Sequence, residues 1–137
     1  INYWAVLLCA VLALVVGAIW HGPFLFGKKY AALMKMDTMS PEMMKAKQKE
    51  MYWVYAIQFA LSFFQVYVLA HYIAGWTEVS GLENALWIWA GFVMPILATN
   101  VMWTGDSKKV IFQKFFILAG YQLVMFVIYG LVLGMWR

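Results

Sequence analysis

Charge is what this chain has least of, and its absences are ordered. No Asp, Glu, Lys or Arg occurs in Ile1–Gly27, Met51–Thr77, Asn84–Gly105 or Phe115–Trp136. The ten basic and six acidic side chains crowd into Lys28–Glu50, Glu78–Glu83, Asp106–Lys114 and Arg137. Charged residues make up 12% of the sequence against 66% hydrophobic, where a soluble domain carries roughly 25% charged. Each uncharged run exceeds the roughly 18–20 residues that cross about 30 Å of hydrocarbon as a helix. A soluble core helix needs neither that length nor that freedom from polar residues. The reading is an all-α integral membrane four-helix bundle, one domain over residues 1–137. Its spans are expected at about 2–22, 51–74, 85–104 and 112–136.

Cysteine is almost absent. The lone Cys9 excludes an intrachain disulfide and any cysteine-rich metal site, and it reads as a small apolar packing residue. Carboxylates are absent from every span, which removes the groups that proton- and sodium-coupled transporters rely on. There is no set of nucleophile, base and orienting residue, no metal-ligand cluster and no phosphate-cradling loop. The expectation is a non-enzymatic protein with no cofactor and no bound metal. The net charge of +4 does not indicate nucleic acid, because the lysines are confined to connectors.

The first run could be mistaken for a cleaved signal peptide. It lacks a preceding basic flank and a following small-residue cleavage pattern, and bulky Phe24, Leu25 and Phe26 come next. A retained span is expected. The eight tryptophans, Trp4, Trp20, Trp53, Trp76, Trp87, Trp89, Trp103 and Trp136, all stand near a predicted span end, where indole prefers the membrane–water boundary.

The connectors give a direction. Lys28–Glu50 holds six lysines against three acids, and Asp106–Lys114 three against one, while Gly75–Asn84 has only Glu78 and Glu83. Lysine excess marks the cytoplasmic side. Both lysine connectors are therefore expected inside and both chain termini outside, as in a bacterial inner membrane. Lys28, Lys29, Lys45, Lys47, Lys49, Lys108 and Lys109 are the candidates for contact with lipid headgroups. Within the first connector, Lys28–Met36 suggests a short interfacial helix, with Leu33 and Met34 toward lipid. Ser40-Pro41-Glu42 reads as an N-cap, a first-turn proline and a first-turn acid. A helix is expected from Pro41 into the second span. Met34, Met36, Met39, Met43 and Met44 offer thioethers for copper, but flexible interfacial packing explains them more simply.

Candidate polar positions fall in two sets. His21 ends the first span ahead of Gly22-Pro23, where proline disfavours continued helix. There an imidazole can cap exposed carbonyls or handle a proton. His71 lies at the far end of the second span, so the two histidines cannot share a ligand within one bundle. Gln58, Ser62 and Gln65 share a face of the second span, while Asn100 and Gln122 add amides in the third and fourth. Interhelical hydrogen bonds satisfy such groups at about 0.6–2 kcal/mol each; a lined polar pathway is the alternative. Small residues mark close contacts: Ala10, Ala13 and Gly17 in the first span, Gly130 and Gly134 in the fourth. Two such faces leave one for self-association, so a homo-oligomer is expected. Trp20-His21-Gly22 and Trp103-Thr104-Gly105, each followed by a lysine pair, raise the possibility of a duplicated two-span unit.

Five stretches in order, INY at Ile1–Tyr3, GAIWHGPFLFGKKY at Gly17–Tyr30, LAHYIAG around His71, GFVMPILATN at Gly91–Asn100 and AGYQLV at Ala119–Val124, carry a family likeness. Together they resemble the small four-span bacterial and fungal membrane proteins of domain-of-unknown-function family seventeen-sixty-one. The resemblance implies four helices and matches family motifs at Asn2, Pro23, Gly27, Lys28, His71, Pro95, Asn100, Gly120 and Tyr121. The chain departs at Thr104-Gly105-Asp106, where an acidic–Gly–Arg turn is common in the family, and at Gln122, where histidine is. The combined expectation is a self-associating membrane component that binds lipid or protein. The alternatives are a small uncoupled channel or transporter, and an accessory subunit of a larger membrane complex.

Overall fold

The computed structural model describes residues 1–20, 29, 32, 40–50 and 52–136. His21, Lys28, the expected helix over Lys28–Met36, and Met34, Met36 and Met39 lie outside the described residues. Six α-helices are described: α1 (Tyr3–Trp20), α2 (Pro41–Glu50), α3 (Tyr52–Gly75), α4 (Gly81–Ile88), α5 (Met94–Met102) and α6 (Lys108–Met135). A π-helical turn over Trp89–Val93 joins α4 to α5. Among the described residues, four segments are long and apolar enough to cross a membrane: Tyr3–Trp20, Tyr52–Gly75, Gly81–Met102 and Lys108–Met135.

Helix starts are set by short polar side chains. The Asn2 carboxamide oxygen accepts from the Trp4 and Ala5 amides at 3.1 and 3.3 Å. Ser40 accepts from Met43 at 3.2 Å, as its Ser-Pro-Glu sequence anticipates. Ser80 accepts from Glu83 at 3.1 Å and Ser107 from Val110 at 3.4 Å. Each such cap satisfies an amide that the helix itself leaves free. The last two caps place the third and fourth helices earlier than the uncharged runs suggest. Glu83 enters the first turn of α4, where a carboxylate is favoured by the helix dipole. Lys108 and Lys109 fall inside α6.

Pro95 explains the π turn. It has no amide hydrogen, and its ring opposes the carbonyl four residues back. The chain widens by one residue just before it, with the Met94 amide donating to Trp89 O.

α6 is the central helix. It packs on α1, on α4 and on α5, while α3 packs chiefly on α1. α1 and α6 are antiparallel: Tyr121 Oη reaches Ala13 O at 2.8 Å, Trp20 Nε1 reaches Ile117 O at 2.9 Å, and Asn2 Nδ2 reaches Trp136 O at 3.3 Å. The lysine connectors therefore share one end of the bundle, and the Trp76–Ser80 connector lies at the other with Asn2 and Trp136. Burial concentrates toward that second end, in Ala5–Ala13 of α1, Val66–Ile73 of α3, Asn84 and Ala85 of α4, and Met125–Leu133 of α6.

Glycine makes the tightest contact. A Cβ on Gly81 would lie 2.5 Å from Gly130 O and 2.8 Å from Gly134 Cα; one on Gly130 would lie 2.8 Å from Gly81 O and from Leu82 Cα. Gly130 and Gly134 thus receive Gly81 and Ala85, small against small. The other small stripe is filled too: Ala10 and Ala13 are buried, and a Cβ on Gly17 would meet Tyr121 Oη at 3.0 Å. Both faces are used within one chain, so neither is spare for self-association as the sequence reading supposed.

Candidate functional site

The candidate polar residues do not gather in one place. Gln58 is exposed and donates to Ser62 Oγ at 3.2 Å, a bond along one helix rather than between two. Gln65 follows on the same face but stands in an apolar groove of about 340 Å³ between α3 and the third span. Phe64, Val68, Ile88, Phe92 and Phe126 surround it there. Phe126 lies at the depth of Gln65, so Gln122 is one turn, about 5–6 Å, nearer the lysine end. Asn100 is exposed in the last turns of α5. His71 is exposed near the other end, edge-on to the Tyr67 ring at a centroid distance of 4.7 Å. Tyr67 in turn stacks on Tyr3 at 6.1 Å. The described amides thus stand at different levels of the bundle, and Gln65 is walled by apolar side chains. Among the described residues, no three His, Cys, Asp or Glu side chains gather as metal ligands would.

Other polar residues do cross between helices. Asn84 is buried and donates to Trp76 O at 3.3 Å, holding the connector against the start of α4. Tyr121 and Trp20 bond across the α1–α6 contact. Trp89 Nε1, in the π turn, is buried with no hydrogen-bond partner among the described residues. The signal for Asn84 is its position four residues after Ser80, at the end of what the charge pattern reads as a connector. Tyr121 was visible only as a motif residue.

At the lysine end the chain builds a compact charged corner. Lys114 Nζ pairs with Asp106 Oδ2 at 2.7 Å, with the two side chains 13% and 32% exposed. Thr104 Oγ1 donates to the same carboxylate oxygen at 2.9 Å. Gly105 turns the chain at φ 80°, a conformation that favours glycine. Beside this corner, a groove of about 450 Å³ runs between α5 and the first turns of α6, lined by Ala98, Val101, Met102, Ile111, Phe112 and Phe115. Among the described residues, Lys108 is its one charged lining residue. Lys29, Lys45, Lys49 and Lys109 are exposed.

Residues 4–134 match the family described as Protein of unknown function (DUF1761). The chain belongs to that family. No curated protein and no solved structure matches it. Several residues of the stretches that carry the resemblance serve packing: Asn2 caps α1, Tyr121 bonds to Ala13, and a Cβ on Gly120 would meet the Trp20 ring at 3.2 Å. Pro95 sets the π turn. His71 and Asn100 remain exposed, while Pro23, Gly27 and Lys28 lie outside the described residues. At the Thr104–Asp106 turn, Asp106 supplies the carboxylate and Lys114, nearly two turns into α6, the cation.

Proposed function

We propose that the protein is a non-enzymatic membrane component whose lysine-bearing end binds anionic lipid headgroups. The observation that carries this reading is the segregation of charge. Exposed Lys45, Lys49, Lys108 and Lys109 lie at one end of the bundle, and the connector at the other end offers only Glu78 and Glu83. Each lysine held near an anionic surface adds about 1 kcal/mol. The expected orientation places that end in the cytoplasm of a bacterial inner membrane, with both termini outside.

The apolar wall around Gln65 weighs against the channel alternative. A homo-oligomer, or a place in a larger membrane complex, would need a face other than the two small-residue stripes. The test is lipid retention. Replacing Lys45, Lys47 and Lys49 by glutamine should lower co-purification of acidic phospholipid severalfold and leave neutral lipid unchanged. Equal retention by wild type and triple variant refutes the reading.

A further inference from the structure

Of the grooves on the molecule, the one between α5 and α6 combines an apolar wall with a charge at its mouth. Its lining runs from Ala98 and Phe115, deeper in the membrane, to Met102 and Lys108 at the connector. Seven residues of α6 separate Phe115 from Lys108, about 10 Å of helix rise. Trp103, 84% exposed, stands beside the mouth, as an indole at the headgroup boundary does. The depth of the groove is thus that of an upper acyl chain, and its mouth that of a phosphate.

The charge balance at the mouth selects the occupant. Asp106, the one acid of this connector, is held by Lys114, so that pair contributes little net field. Lys108 lines the groove and Lys109 is exposed beside it, which leaves an excess of positive charge. From this geometry we infer a discrete site for one anionic glycerophospholipid: an acyl chain lies along Val101, Ile111, Phe112 and Phe115, and the phosphate meets the Lys108 ammonium. A zwitterionic lipid fits the wall equally but brings its own cation to the lysines. A soluble anion fits the lysine but leaves the wall unused. The volume is within the roughly 300–1,000 Å³ of small-molecule sites. The site rests on the reading that this end binds acidic lipid, and it adds a location and a stoichiometry.

Native mass spectrometry of the detergent-solubilised full chain tests it, with phosphatidylglycerol and phosphatidylcholine added in competition. Wild type should hold one phosphatidylglycerol after activation strips phosphatidylcholine. Lys108→Gln should lower that adduct at least fivefold while leaving phosphatidylcholine binding as it was. Ala98→Phe, which fills the groove, should lower both. Lys108→Gln alters only an exposed side chain, so it reads out the site even where Ala98→Phe disturbs folding. If neither variant changes the phosphatidylglycerol adduct but the Lys45, Lys47 and Lys49 triple variant abolishes it, the groove is refuted and the broader reading stands. If wild type shows no preference for phosphatidylglycerol, both are refuted.

Discussion

Replacing Gly81 with alanine probes the contact on which the bundle is built. The added Cβ would stand 2.5 Å from Gly130 O and 2.8 Å from Gly134 Cα, where ordinary contact begins at 3.4 Å. Both obstacles are backbone, so no side chain can swing aside. Relief requires α4 and α6 to part by about 1 Å, and a gap of roughly 0.5–1 Å already forfeits a quarter to a half of each dispersion contact along it. Overpacking of this kind costs about 1–3 kcal/mol. The propensity gain of alanine over glycine, about 1 kcal/mol at most, offsets only part of it. Gly130→Ala meets Gly81 O and Leu82 Cα at 2.8 Å and Ala85 Cβ at 2.9 Å, and should cost about as much. Gly91→Ala has nothing within 4 Å of its new methyl, so it should be neutral or gain up to about 1 kcal/mol. The assay is unfolding in mixed micelles of mild detergent and dodecyl sulfate, followed by circular dichroism. The Gly81 and Gly130 changes combined should cost less than their sum, because the first separation makes room for the second. If Gly81→Ala unfolds at the same dodecyl sulfate fraction as Gly91→Ala, the close approach of these helices is wrong.

Further outcomes follow from other contacts. Tyr121→Phe removes the bond to Ala13 O and should cost about 0.6–2 kcal/mol in the same assay; an unchanged midpoint would show that this bond adds nothing. Asn84→Leu should cost about 1–3 kcal/mol by leaving Trp76 O without its donor, and amide exchange at Thr77–Ser80 should rise; unaltered exchange would separate Asn84 from the connector. Asp106→Asn should weaken the partner of a largely buried Lys114 and lower stability by about 1–3 kcal/mol, with Lys114→Gln in that background adding little. Full additivity of the two would mean the pair is not coupled. Cys9 is 0% exposed, so it should resist maleimide in the folded protein and react on denaturation; reaction at the rate of a free thiol would place it on the surface.

The four spans were legible because uncharged length is a direct consequence of the bilayer's thickness. Their ends were less so. Counting uncharged residues delays the third helix past Glu83 and the fourth past Lys109, yet serine caps and the favourable setting of an acid at a helix start carry both helices into charged sequence. Pro95 stands in the sequence reading only as a motif residue, and the π turn that absorbs it is seen only in the structure. The small-residue stripes were visible as stripes. That the Gly130–Gly134 stripe would be filled inside one chain depended on Gly81, which the uncharged runs leave in a connector, and Gly17 is met by Tyr121.

The polar set was harder. Gln58 and Ser62 meet as their four-residue spacing allows. Gln65 shares their face, but the depth of its neighbours depends on how α3, α4 and α6 are staggered, and that stagger sets Phe126 rather than Gln122 beside it. The α5–α6 groove was equally hidden, because it needs Ala98 and Phe115 to face one another across a turn. Only its charge, Lys108, could be marked from the sequence.

The central claim is a chain that crosses the bilayer four times, with both lysine connectors on one side. Its most direct test is compartment-specific labelling of single cysteines in a Cys9→Ser background, using a maleimide that does not cross membranes. Glu78→Cys should label in intact cells, while Lys45→Cys and Lys109→Cys should label only after permeabilisation. Labelling of Lys45→Cys and Lys109→Cys from opposite sides, or of Glu78→Cys from the same side as both, would contradict the account.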